Sequence, residues 1–95
     1  MNRVMLRADF NGLFLPLLCL SHADTAVDEH GRAVPLASGM TAVAFEADEE
    51  DGLPCFLIAS GEIEPSPATF EHSGSKWVLR IDGKGVRHVV RLADA

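Results

Sequence analysis

Apolar and polar positions alternate most clearly over residues 39–64, where two apolar stretches flank an acidic one. In the first stretch Val43 and Phe45 share one face, which predicts a strand that turns this face toward the core. The second stretch, residues 53–60, is apolar at consecutive positions, as expected of a strand covered on both sides. We therefore predict a central β-hairpin whose turn lies within residues 48–52.

Shorter strands are predicted around this hairpin. Their approximate limits are residues 3–10, 13–20, 27–34 with a hairpin tip at 28–31, 69–71, 76–82 and 86–92. Asn11-Gly12 predicts a two-residue hairpin turn, and Pro16 predicts an edge or a bulge. Further turns are expected at residues 72–75 and 82–85. A glycine within a strand pattern, Gly61, predicts a bulge or a sharp bend.

The pattern predicts one all-β domain over residues 1–95, with little or no helix. About five to seven short strands indicate a small antiparallel barrel or sandwich, with a layout similar to SH3-like or OB-like barrels. Such a layout implies no particular function. Whether residues 86–95 form a strand, a short turn or a tail stays open. We expect six side chains to be almost fully buried: Phe45, Leu57, Ile58, Trp77, Leu79 and Ile81.

Composition supports a folded domain, because 47% of the 95 residues are hydrophobic and the net charge is −6. Two cysteines make no disulfide framework, and we expect buried thiols in a reducing, cytoplasmic setting. No apolar run reaches the roughly 20 residues of a membrane span. Arg3 and Arg7 precede the apolar run 13–20 as in a secretion signal, but Asp9, Asn11 and Gly12 interrupt the approach to it.

The charge is unevenly distributed along the chain. Residues 1–75 contain three Lys or Arg and twelve Asp or Glu, whereas residues 76–95 contain five Lys or Arg and two Asp. We call the following residues the basic segment and predict that they bind a partner: Lys76, Arg80, Lys84, Arg87, His88 and Arg91. They could hold a phosphate backbone or an acidic peptide. Alternatively, they pair with the acidic part of the same chain or of a second copy.

Cys19 and His22 have the spacing of two metal ligands, and the residues that could complete a set are His30, Cys55, His72 and His88. Structural zinc sites usually show two close pairs, and only one is present here. Cys19 could also be a nucleophile with His22 as its base and Asp24 orienting that base. A core thiol beside a solvated loop histidine explains the pair more simply. We therefore predict no metal and no cofactor.

These observations favour a non-enzymatic binding or interaction domain. Its partner is expected to be another protein or a second copy of the chain, which would associate through opposed acidic and basic faces. A barrel that binds nucleic acid through residues 76–91 is the first alternative, although it lacks exposed aromatic residues for base stacking. A thiol or metal-dependent enzyme is the second alternative.

Overall fold

The computed structural model describes residues 3–68 and 74–95. Their secondary structure comprises strands and two short 3₁₀ turns, Phe10–Gly12 and Leu92–Asp94, with no α-helix among them. The strands are β1 (Val4–Arg7), β2 (Leu13–Phe14), β3 (Leu17–Ser21), β4 (Thr25–Val27), β5 (Ala33–Pro35), β6 (Thr41–Glu50), β7 (Leu53–Pro65) and β8 (Trp77–Val89). The strand expected at 69–71 and most of the turn expected at 72–75 lie outside the described residues.

Six strands form one curled sheet in the order β1-β6-β7-β8-β3-β2, which makes half a barrel, and β4 and β5 form a separate small sheet. The all-β class is confirmed. The sheet is not strictly antiparallel, because β1 runs parallel to β6 from Val4 opposite Ala42 to Arg7 opposite Phe45. The chain passes through β2 to β5 between these two neighbours, and parallel pairing requires such a long crossover. In the described residues, no helix is long and apolar enough to cross a membrane.

The central hairpin is confirmed. β6 and β7 pair antiparallel without interruption from Thr41 opposite Glu62 to Glu50 opposite Leu53. The turn is shorter than expected, because residues 48–50 continue the strand and Asp51-Gly52 alone reverse the chain. Their φ values of +53° and +80° match a two-residue hairpin turn, which requires positive φ at both positions.

The bend predicted at Gly61 is confirmed by a shift in the β7–β8 register between Ala59 and Gly61. A Cβ atom at Gly61 would collide with the carbonyl oxygen of Arg80, so only glycine fits this crossing. The turn predicted at residues 82–85 is wrong, because β8 continues through it. These residues form a bulge instead, since pairing with β7 resumes at Val86 opposite Ala59.

The hairpin predicted at Asn11-Gly12 is also wrong. Neither residue has a positive φ, and Phe10–Gly12 form a 3₁₀ turn that Asp9 caps by accepting a hydrogen bond from the Asn11 N–H at 2.9 Å. The chain reverses at Leu15-Pro16, between β2 and β3, so Pro16 lies in a turn rather than within a strand. The small hairpin expected around residues 28–31 is confirmed as β4 and β5.

Buried side chains cover both faces of the sheet. The larger cluster lies on one face and contains Leu6, Leu18, Leu20, Ala26, Leu36, Ala42, Ala44, Ala59, Ile63, Leu79 and Ile81. The smaller cluster lies on the other face and contains Val43, Phe45 and Ile58. Leu92 and Ala95 pack against the smaller cluster, so the segment after β8 is a 3₁₀ turn that covers this second face.

Four of the six predicted core residues are confirmed as buried: Phe45, Ile58, Leu79 and Ile81. Leu57 and Trp77 are only partly buried, and their prediction was wrong in degree. Leu57 lies between Glu46 and His88 on the neighbouring strands, and these two polar residues are themselves partly or largely exposed. Trp77 begins β8 and directs its indole N–H to the exposed Asp24 carboxylate at 3.1 Å.

Candidate functional site

The basic segment lies along β8 and its two flanks. Lys76 precedes the strand, Arg91 follows it, and the other four residues (Arg80, Lys84, Arg87 and His88) belong to β8. Four of the six contact a carboxylate of the same chain: Lys76, Arg80, His88 and Arg91. Much of the positive charge of the segment is therefore paired within the fold.

Two of these pairs lie near the start of β8. The Arg80 guanidinium donates two hydrogen bonds to the Glu64 carboxylate, at 2.7 and 3.1 Å, and this lowers the pKa of Glu64. Lys76 Nζ lies 2.9 Å from the Asp24 carboxylate. That contact, followed by the hydrogen bond from Trp77, lowers the pKa of Asp24.

The remaining residues of the basic segment, toward the end of β8, make more varied contacts. His88 Nε2 lies 3.1 Å from Asp48 Oδ2, and Arg91 Nε donates to Asp94 Oδ2 at 3.2 Å. Arg87 donates from Nη2 to the Ser60 hydroxyl at 3.4 Å, while its buried Nε has no hydrogen-bond partner among the described residues. The side chain of Lys84 is exposed. The fold thus brings His88 into an acidic environment, in agreement with the predicted alternative that the basic segment pairs with the acidic part of the same chain.

This environment belongs to what we call the distal end, residues 46–57 and 86–90. Here β6, β7 and β8 pair with one another and, within the described part of the chain, with no other strand. Asp48 is opposite Cys55, and His88 is opposite Leu57, two residues further along β7. Because residues two positions apart share a face, the register places Asp48, Cys55 and His88 on one side of the sheet.

The ligand atoms of Asp48, Cys55 and His88 all lie within 4.8 Å of one another. Among residues 3–68 and 74–95, no other three His, Cys, Asp or Glu side chains come together in this way. A fourth polar group lies nearby, because Glu50 Oε2 is 3.9 Å from His88 Nδ1. Three adjacent strands therefore bring a thiol, an imidazole and two carboxylates to one location.

The electrostatics of the group favour a protonated thiol. Burial raises the pKa of Cys55, and the negative charges of Asp48, Glu50 and Glu49 raise it further. The pKa of Asp48 is lowered, first by the backbone N–H of Glu49 and then by the hydrogen bond with His88. Since the thiolate is the nucleophilic form, this environment is unfavourable for catalysis by Cys55.

A cleft of about 310 Å³ opens beside this group. Its walls include Cys55 and His88 as well as two exposed apolar side chains, Leu53 and Val90. The buried thiol therefore lies at the wall of a surface cleft rather than deep in the main core. A small ion or a side chain of another molecule could approach it from this direction.

The predicted pair Cys19 and His22 is arranged differently. Cys19 is buried in β3 and His22 is exposed in the loop that follows, and both line a hollow of about 190 Å³. Across the described ranges, these two side chains join no third metal-ligating group. His30 lies 3.8 Å from Glu29 at the tip of the β4–β5 hairpin. His72 lies outside the described residues.

Sequence reasoning considered Cys55 and His88 but did not bring them together with Asp48. One signal was available, because a turn at Asp51-Gly52 places Asp48 opposite Cys55 by simple counting. The position of His88 could not be counted in the same way, since the bulge at residues 82–85 displaces the end of β8 relative to β7.

The chain matches no family model, and no curated protein or solved structure is significantly similar to it. The function of the chain is therefore inferred from its side chains and their geometry.

Proposed function

We propose that this protein is a small, non-enzymatic interaction domain of the cytoplasm that associates with a second copy of itself. The observation that carries this proposal is an apolar patch at the distal end. Leu53 is 69% exposed, Val90 is 74% exposed, and both line the same cleft. Large apolar side chains grouped at a surface are a common mark of a protein–protein interface.

The charges around the patch favour a second copy as the partner. The exposed carboxylates of Glu50 and Asp51 line the cleft, and Arg91, with 75% of its side chain exposed, directly follows Val90 at the β8 side. In a twofold dimer the same surface of each copy meets the other, so a surface that carries both signs can complement itself. The sequence predicted association through opposed acidic and basic faces, and we now propose that these faces lie at the distal end.

The strand edges support the same location. Between Val86 and Val89 the outer edge of β8 pairs with no strand of the described chain, and an unpaired edge is a template for association. The edge of β1 is less accessible, because Leu6 forms a bridge with Asp28 and Arg7 donates to the Glu29 carbonyl at 3.5 Å. We therefore place the contact at β8 rather than at β1.

Sedimentation at low and high salt tests the proposal. We expect a dimer that weakens as salt rises, because exposed charges are screened beyond about 8 Å at physiological ionic strength. Leu53→Lys should raise the dissociation constant at least about tenfold, equivalent to about 1.4 kcal/mol. The matched control is Leu15→Lys, since Leu15 is 70% exposed in the β2–β3 turn. If Leu15→Lys rather than Leu53→Lys weakened the dimer, the contact would not lie at the distal end.

A short oligonucleotide included in the same runs tests the main alternative. The proposal predicts no binding, since Lys76, Arg80 and Arg91 each contact a carboxylate of their own chain. A salt-independent monomer that bound the oligonucleotide at low salt would replace self-association with nucleic-acid binding. A salt-independent monomer without oligonucleotide binding would overturn both.

A further inference from the structure

We propose that Asp48, Cys55 and His88 form a binding site for a divalent transition-metal ion, with zinc as the best-matched ion. The three side chains supply one sulfur, one nitrogen and one oxygen ligand, a combination that zinc accepts readily. The site shares its cleft with Leu53 and Val90 of the proposed interface, but it depends on different side chains and is tested separately.

The distances between the ligand atoms suit a tetrahedral centre. Zinc binds thiolate, imidazole and carboxylate atoms at about 2.0–2.3 Å, which separates neighbouring ligand atoms by roughly 3.3–3.8 Å. Asp48 Oδ2 and His88 Nε2 are already 3.1 Å apart, and all three ligand atoms lie within 4.8 Å of one another. The largest separation therefore exceeds the tetrahedral value by no more than about 1 Å.

The backbone holds these side chains in place. Asp48 and Cys55 are directly opposite each other in the uninterrupted β6–β7 ladder, and His88 lies on the adjacent strand. Ligands on paired strands lose little conformational freedom when an ion binds, so the site is preorganised.

Glu50 lies beside the ring nitrogen of His88 that would not bind the ion. Its carboxylate lies 3.9 Å from His88 Nδ1, on the side of the ring away from Asp48. A metal-bound histidine commonly donates its other ring N–H to a carboxylate, which fixes the tautomer and the orientation of the ring. At 3.9 Å the Glu50 carboxylate attracts the His88 ring without a hydrogen bond, which favours a proton on Nδ1 and leaves Nε2 to face the ion.

Charge and access also favour a cation. The Asp48 carboxylate lies within 4.8 Å of the buried Cys55 thiol and Glu50 lines the same cleft, so a divalent ion would neutralise a concentration of negative charge. Binding converts the Cys55 thiol to a thiolate and releases its proton to solvent. The cleft of about 310 Å³ gives the ion a path and leaves room for water as a fourth ligand.

The test is calorimetric titration of the reduced, chelator-treated protein with Zn²⁺. We expect one ion per chain, with proton release, and a loss of affinity of at least about 100-fold in Cys55→Ser. Glu50→Gln should weaken binding about 10–100-fold, as is usual for a second-shell carboxylate. Cys19→Ser is the matched control, because it removes the other buried thiol and should retain full affinity.

His88→Asn guards against a folding artefact, because the His88 side chain is 45% exposed and its replacement should leave the fold intact. Co²⁺ titration adds a direct readout, since thiolate coordination gives a charge-transfer absorption that Cys55→Ser must abolish. No stoichiometric binding to the wild-type protein would overturn the proposal. Equal affinity in Cys55→Ser and His88→Asn, both folded, would overturn it as well.

Discussion

The strands β6, β7 and β8 pass through two regions with opposite side-chain chemistry. In what we call the sheet body, the six-stranded sheet outside the distal end, Ala42 and Ala44 on β6 are fully buried in the main core. On the same face, the next alternate positions of β6 are Glu46 and Asp48 in the distal end. The backbone ladder continues without a break between the two regions. Pairing with β7 is therefore sufficient to keep β6 a strand along its whole length. Its face is apolar only where other elements of the fold cover it.

The covering elements end where the chemistry changes. β1 pairs with β6 as far as Phe45, and β3 pairs with β8 as far as Arg80. Beyond these points the main-core face of the distal end has no covering strand in the described chain, and carboxylates occupy it. Leu53 and Val90 are exposed exceptions to this polar surface. The proposed interaction therefore involves the distal end, whereas the main buried core lies in the sheet body.

The largest expected difference between the regions is in the cost of removing a leucine. Leu79 is completely buried in the sheet body, so Leu79→Ala should lower the free energy of unfolding by about 2–5 kcal/mol. Leu53→Ala in the distal end should change it by no more than about 0.5 kcal/mol. Chemical denaturation measures both values. Equal costs would remove the distinction between the two regions.

The sequence predicted the features that depend on local patterns. Alternation around Val43 and Phe45 identified the central hairpin, and Gly61 identified the bend. It could not predict the parallel β1–β6 pair, because no local signal marks a partner that lies 38 residues further along the chain. It also predicted the wrong structure at Asn11-Gly12, where capping by Asp9 favours a 3₁₀ turn instead of a hairpin.

The candidate site was difficult to predict from the sequence for a similar reason, because it also depends on non-local pairing. Asp82, Gly83 and Gly85 are typical of a turn, but the same residues also suit a bulge when both flanks pair with one strand. That choice determines the register of His88 against Cys55, and the grouping with Asp48 follows from it. A site assembled by register is therefore difficult to find from residue types alone.

A smaller effect is expected where β7 crosses β8 within the sheet body. Gly61→Ala places a methyl group against the Arg80 carbonyl, which the backbone can relieve only by moving apart. We expect a loss of about 1–3 kcal/mol in unfolding free energy. Gly83→Ala is the control, because a Cβ at Gly83 would meet no atom within 4 Å. Similar losses in both variants would contradict the tight crossing.

The two thiols report on opening of each region separately. Cys19 lies in the sheet body and Cys55 in the distal end, and both are buried. Because less covering structure must separate to expose Cys55, its protection against a thiol reagent should be at least about tenfold lower than that of Cys19. Single-thiol variants, Cys19→Ser and Cys55→Ser, allow each rate to be measured and corrected for its rate in denaturant. Equal protection would show that the two regions open together.

The smallest expected effect concerns the Arg80–Glu64 pair of the sheet body. The hydrogen bonds from Arg80 lower the pKa of Glu64 below its ordinary value of 4.5. The stabilisation is therefore complete above that value and is lost as the pH falls through the lowered pKa of the folded protein. Because 51% of the Arg80 side chain and 29% of the Glu64 side chain are exposed, solvent keeps the effect small.

A double-mutant cycle with Glu64→Gln and Arg80→Gln isolates this interaction from other consequences of each substitution. The coupling free energy should be favourable at about pH 7 and should vanish at a pH well below the folded-state pKa, where Glu64 is neutral. It should also decrease as salt is added, since exposed charges are screened. Coupling that persisted unchanged into strong acid would mean that packing, rather than charge, joins the two side chains across β7 and β8.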